Sequence, residues 1–187
     1  HRFMPFASAS SWASENCVTL SAASKAFNLA GLQCAYIIAS DPVLRNRIDR
    51  QVNINEACDA NPLGMEALVA AYSEEGEAWL DALNAYLEQN REALRRFVRE
   101  ALPECRLPEM DGTYLAWLDC SAFGLASTEI ERQLLARQKV RVAAGAAYGE
   151  TSPGWIRINL ATQRRRLEEG LRRIGLWAAA RREAAHA

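Results

Sequence analysis

The chain has 187 residues, half of them hydrophobic and 24% charged, with a formal net charge of −1. This is the composition of one globular domain or two small ones, and near-neutral charge argues against nucleic acid or an anionic membrane as the main partner. No apolar run approaches the roughly 20 residues of a membrane span.

Residues 1–16, rich in Ser and Ala with one Pro, read as an irregular lead-in. "CVTLS" (Cys17–Ser21) and "CAYIIAS" (Cys34–Ser40) are apolar runs of strand length, separated by the loop "SAASKAFNLAG" (Ser21–Gly31). Strands apolar on both faces suit the interior of a sheet covered by helices. Asp41-Pro42 starts a helix, with Asp as N-cap and Pro in the first turn, carrying Leu44, Ile48 and Val52 on one face. "NPLG" (Asn61–Gly64) reads as a turn before a helix from about Met65 to Tyr72, and Ser73 to Gly76 as a second break. A long helix follows, with Trp79, Leu80, Leu83, Leu87, Leu94, Phe97, Val98 and Leu102 at helical spacing, ended by Pro103. Its other face carries Glu88, Arg91, Glu92, Arg95, Arg96 and Arg99 and is a solvated surface.

Beyond Pro103 the pattern changes. "CRL" (Cys105–Leu107) is a candidate edge strand and "TYLAWLDC" (Thr113–Cys120) a stronger one. Thr128 with Glu131 fits a capping box for a helix carrying Ile130, Leu134 and Leu135. "KVRVA" (Lys139–Ala143) is a further candidate strand. "WIRINLA" (Trp155–Ala161) alternates with period two, so Trp155, Arg157 and Asn159 share one face and Ile156, Ile158 and Leu160 the other. A last helix from about Gln163 turns Leu167, Leu171, Ile174 and Ala178 inward, and the Ala/Arg-rich end is expected to fray. Seven arginines and three glutamates in residues 163–187 fit the basic outer face of that helix better than a nucleic-acid site.

Two residues stand out chemically. Lys25 and Lys139 are the chain's lysines, arginine being the general cation. A lysine amine can deprotonate and attack a carbonyl, which arginine cannot do, and Lys25 lies among small residues where another molecule could approach. Arg157 could grip a carboxylate with its guanidinium fork. The five cysteines (Cys17, Cys34, Cys58, Cys105 and Cys120) are odd in number and have no C-x-x-C pair. They are expected to be small core residues of a reduced, cytoplasmic protein. His1 and His186 lack metal-ligand spacing, so no metal site is expected.

The segment "AASKAFNLAG" resembles the lysine segment of pyridoxal-phosphate enzymes of the class I/II aminotransferase family, in particular the cystathionine β-lyase-like C–S lyases. "HRFMPFAS", "NPLG", "GTYLAWLDC" and "WIRINLAT" resemble segments of that branch in the same order, from His1 to about Ile174. The resemblance implies an α/β fold: the end of the large cofactor domain in residues 1–60, then linking helices and the small C-terminal domain, with a short, largely antiparallel sheet, in residues 61–187. It makes Lys25 the lysine that forms a Schiff base with the cofactor aldehyde and Ser24 a hydroxyl near the cofactor phosphate. Gly31 becomes the glycine that turns the loop back, and Arg157 the ligand of the substrate carboxylate. Tyr148-Gly149 matches an aromatic-Gly pair ahead of the arginine strand. Ala22 and Gln33 depart from the family's usual Ser and its Arg or Lys.

The activity that the resemblance implies is β-elimination on sulfur-containing amino acids, releasing thiol, pyruvate and ammonia, with transamination as the alternative. It implies a homodimer with an amino-acid substrate. Only the second half of the family pattern is matched, and the aspartate partner of the ring nitrogen would lie upstream of His1. The chain is therefore expected to be a C-terminal portion, and a catalytically silent fragment or interaction module is the alternative of another class.

Overall fold

The computed structural model describes residues 3–54, 59–149 and 153–186; His1 and Cys58 lie outside the described residues. The chain forms two compact units, His1–Leu83 and Asn84–Ala187.

In the first unit the lead-in contains a short helix, α1 (Ser11–Asn16), whose Ser10 side chain accepts from the Ala13 N–H. Strand β1 (Val18–Ser21) pairs antiparallel with β2 (Tyr36–Ala39), Leu20 opposite Ile37. Helix α2 (Pro42–Asn53) starts as expected, with both Asp41 carboxylate oxygens accepting from the N–H groups of Val43 and Leu44. Helix α3 (Pro62–Ala71) begins three residues earlier than its sequence implies. "NPLG" is its start and not a separate turn, because the Asn61 side chain caps Leu63 N–H and Pro62 occupies the first turn. Helix α4 (Glu74–Ala101) likewise starts before Gly76, whose N–H is capped by the Ser73 hydroxyl.

The β1–β2 ribbon departs from the expectation of interior strands. Leu20 is 74% exposed and Ile38 53% exposed, on opposite faces of a two-stranded sheet. An isolated pair of strands is marginal in water without a covering layer.

The second unit holds the main core. Its sheet has the order β3-β5-β4, all antiparallel, with β3 Leu115–Asp119, β4 Ala143–Ala144 and β5 Trp155–Asn159. The register sets Trp117 opposite Arg157 and Leu118 opposite Ile156. Ala116, Leu118, Ile156, Ile158 and Leu160 form the buried face. Against them pack Leu94 and Val98 of α4, Ile130 of α5 (Ser127–Gln133), and Leu167, Leu171, Ile174 and Ala178 of α6 (Arg164–His186). Fully burying one such large aliphatic side chain is worth about 1.5–3 kcal/mol, so this face drives the fold of the unit. The buried Gln133 side chain is satisfied by accepting from Trp177 Nε1 at 2.9 Å.

Several local expectations are corrected. "CRL" is not a strand: Arg106 makes one bridge to Asp119 before Pro108, which has no N–H to extend a ladder. Of "KVRVA" only Ala143 enters β4, because Lys139 takes a left-handed conformation, φ 55°, as the preceding helix ends. Thr128 is no cap. The helix starts at Ser127 after Ala126, and the buried Ser127 hydroxyl accepts from Ala146 N–H instead. A π-helical turn, Leu134–Gln138, continues α5, leaving Leu134 buried and Leu135 48% exposed. The C-terminal segment stays helical to His186.

Candidate active site

Lys25 sits at the tip of the turn between β1 and β2. Two backbone bonds close that turn, Phe27 N–H to the Ala23 carbonyl and Leu29 N–H to the Ser24 carbonyl, both 3.0 Å. Reversal of the chain uses left-handed residues at Asn28 (φ 55°) and Gln33 (φ 49°). Gly31, expected to supply that freedom, lies in a 3₁₀ turn without a positive φ, and a Cβ there would meet open space. Asparagine tolerates the left-handed region better than most residues, because its short side chain bonds locally.

The turn is anchored beside the lysine. Phe27 stacks on Trp79 with ring centroids 5.6 Å apart and meets Tyr72 edge-on at 6.4 Å. The Tyr72 hydroxyl lies 2.7 Å from that of Tyr36 on β2. Hydrogen bonding from Ser21 and then Tyr72 holds the Tyr36 hydroxyl below its usual range. Beneath the turn, Gly64 of α3 approaches Cys34 and Leu32 so closely that a Cβ would lie 2.8 Å from the Cys34 Cβ. Lys25 itself is exposed and Ser24 half-buried. Among the described residues, neither the Lys25 amine nor the Ser24 hydroxyl has a hydrogen-bond partner.

Arg157 lies in the second unit, in the middle of β5, between β3 and β4. As the period-two pattern implies, it is on the face opposite Ile156 and Ile158, which are buried. Its guanidinium carbon stands 4.4 Å from the ring centroid of Tyr148. Trp117, its direct neighbour on β3, meets Tyr148 at 88° with centroids 5.3 Å apart. The nearby carboxylate on the same face of β3, Asp119, is committed elsewhere. It accepts from Ser121 N–H at 3.0 Å and faces Arg106 at 3.5 Å. Burial raises the Asp119 carboxyl, but the Ser121 hydrogen bonds and the Arg106 charge outweigh that and hold it below its usual range. Arg157 has no carboxylate partner among the described residues. Its two aromatic neighbours, Trp117 and Tyr148, also line a cleft of about 450 Å³ together with Thr113 and Trp155, in which Arg157 itself takes no part.

Sequence reasoning singled out the lysine and the arginine as candidates, left Tyr148 without a role and missed the aromatic neighbours Trp117, Phe27 and Trp79. The aromatic-Gly pair ahead of "WIRINLA" was the available signal for Tyr148. The cysteine expectation splits: Cys105 and Cys120 are buried, while Cys17 and Cys34 are partly exposed.

The chain matches the model of the aminotransferase class I and II family over residues 4–174. It is 37% identical over 174 residues to cystathionine beta-lyase PatB of Bacillus subtilis (strain 168), a match covering 93% of this chain and 45% of that protein. It is 26% identical over 165 residues to the aspartate aminotransferase of Pyrococcus horikoshii, covering 87% of this chain and 41% of that one. Cystalysin from Treponema denticola, whose crystal structure contains a pyridoxal 5'-phosphate cofactor, aligns with a TM-score of 0.85 at 27% identity. That alignment covers 94% of this chain and 44% of cystalysin. The chain therefore belongs to the class I and II aminotransferase family, and it spans about half the length of the curated relatives it matches. Among the described residues, no helix is long and apolar enough to cross a membrane.

Proposed function

We propose that the protein carrying this chain is a pyridoxal-phosphate-dependent carbon–sulfur β-lyase acting on sulfur-containing amino acids. The observation that carries the reading is the exposed Lys25 amine, without a hydrogen-bond partner among the described residues, with the Ser24 hydroxyl directly before it on a turn of small residues. An amine and a hydroxyl one residue apart fit a cofactor bearing an aldehyde and a phosphate. Lys25 would hold the first and Ser24 contact the second. Gln33, in place of a cation, leaves more of the phosphate charge to other residues. When bound, the cofactor supplies a carbonyl for the amine and an electron-withdrawing ring that takes up the electron pair of the broken Cα–H bond.

The remaining chemistry belongs to the chain. The Arg157 fork binds the substrate carboxylate and fixes the orientation of Cα. Once the substrate amine has taken its place on the aldehyde, the freed Lys25 Nζ, in its neutral form, would remove the Cα proton. Loss of a thiol from Cβ then leads, after hydrolysis, to pyruvate and ammonia. In this reading residues 1–60 are the end of the large cofactor domain and 61–187 the linking helices and small domain. The full-length protein is a cytoplasmic homodimer.

The lyase reading is supported by the PatB likeness, and a transaminase is the second reading, supported by the weaker likeness to aspartate aminotransferase. In the second, Lys25 redelivers the proton so that the amino group is exchanged. Full-length protein incubated with cystathionine should release pyruvate and thiol; only amino-group exchange with 2-oxoglutarate would sink the lyase. The visible absorbance acquired with pyridoxal phosphate should disappear in Lys25→Ala, and its persistence would reject Lys25 as the holding residue.

A further inference from the structure

We propose that Tyr148 is a positioning residue for Arg157, holding the guanidinium flat so that its N–H edge meets a carboxylate. The inference rests on the reading of Arg157 as the carboxylate ligand. An arginine on the open face of a sheet ordinarily folds onto a neighbouring acid. Here the acid in that row, Asp119, is occupied by Ser121 and Arg106. The guanidinium instead lies over the Tyr148 ring, its carbon 4.4 Å from the centroid.

Stacking uses the face of the guanidinium and leaves its in-plane donors available, which are the ones a planar carboxylate needs. The ring is itself held. Trp117 meets it edge-on at 5.3 Å, and Trp117 is the residue paired with Arg157 in the β3–β5 register. Strand pairing thus fixes the arginine and the edge that props its shelf in one step. On the other flank, Ala143 of β4 is opposite Arg157 and carries only a methyl group. Without the ring, the long side chain regains rotamer freedom that carboxylate binding must remove again. The contact is made by the ring, so phenylalanine should replace tyrosine. Tyr148 is 50% exposed, so its removal leaves the core intact.

The test is calorimetric binding to the full-length protein of a thioether acid that lacks the amine and cannot react, 3-(methylthio)propionate, against its amide. Tyr148→Leu and Tyr148→Met should each weaken the acid about fivefold or more and leave the amide unchanged, while Tyr148→Phe stays within about twofold. In turnover with an amino-acid substrate, the Leu variant should raise KM and leave kcat nearly unchanged. Acid binding that is unchanged or tighter in both Leu and Met variants overturns the inference, as does a Phe variant as weak as Leu. Arg157→Met separates the two claims. If it abolishes the preference for acid over amide, the Arg157 reading stands whatever Tyr148 does; if the preference survives, that reading fails and this inference with it.

Discussion

Asn90 on α4 donates its side-chain N–H to the Leu160 carbonyl at 2.8 Å from a fully buried position. The same amide also donates to the Thr162 carbonyl at 3.0 Å, while its oxygen accepts from Arg164 Nε. The turn from β5 into α6 leaves carbonyls that no strand or helix partner takes up, and Asn90 satisfies two of them. Replacing Asn90 by Ala removes the side-chain donor from the Thr162 carbonyl and the acceptor from Arg164 Nε, and leaves the Leu160 carbonyl only the Thr162 N–H at 2.9 Å. The expected loss is about 2–4 kcal/mol, read as a lower urea midpoint with unchanged slope. A loss below about 0.5 kcal/mol would mean that water takes over the bonds.

Gly64 leaves no room for a side chain between α3 and the lysine turn. In Gly64→Ala the new methyl would lie 2.8 Å from Cys34 Cβ and 3.1 Å from the Leu32 carbonyl oxygen. Overpacking of this kind costs about 1–3 kcal/mol. Hydrogen exchange should quicken at the Phe27 and Leu29 amides, which close the turn, and stay unchanged in β5. Uniform quickening across both units would contradict a local effect.

Cys105 and Cys120 face each other with sulfurs 3.9 Å apart. The Cys105 contact, then burial and the Asp119 and Glu104 charges, push the Cys120 thiol far above the usual range, so it is not a thiolate at neutral pH. Iodoacetamide at about pH 7.5, short of the usual thiol pKa, should modify the partly exposed Cys17 and Cys34 and leave Cys120 untouched until urea is added. Peptide mass mapping decides this, and rapid native labelling of Cys120 would refute it.

Arg182 of α6 clasps Glu104 through two hydrogen bonds, 2.8 and 2.9 Å. Burial raises the Glu104 carboxyl, but the Arg182 hydrogen bonds, a backbone bond and the Arg182 charge more than offset it and hold it below its usual range. A depressed carboxylate stabilises above its unfolded pKa and loses that contribution as pH falls through the folded value. Glu104→Gln should therefore cost about 0.5–1 kcal/mol at neutral pH. The difference should shrink as pH falls below the ordinary glutamate range. Thermal midpoints of both proteins at about pH 7 and about pH 3 measure it; an equal gap at both would exclude the carboxylate as the cause.

Much of the second unit was legible because burial has a period. Alternation in 155–160 sorted Ile156 and Ile158 from Arg157, and helical spacing identified Leu167, Leu171, Ile174 and Ala178 as core, all buried as expected. Misreadings fall where local chemistry offers two partners. Thr128 and Glu131 match a capping box, yet the helix starts at Ser127, whose hydroxyl turns to Ala146. Gly31 looks like the hinge, yet Asn28 and Gln33 take the left-handed conformations. The β1–β2 strands carry apolar residues on both sides, which sequence shows, but whether those faces are covered is a matter of neighbours.

By itself, the sequence carried the family pattern and singled out two candidates for chemistry: a rare lysine among small residues and an arginine on the open face of an alternating strand. What Arg157 rests on was decided by tertiary structure. Tyr148 and Trp117 reach it from 9 residues before and 40 residues before in the chain, through the β3-β5-β4 order and its register. Period and propensity are properties of neighbours along the chain. Strand order and register depend on the free energy of the whole core, so the shelf beneath the guanidinium exists only once that core has formed.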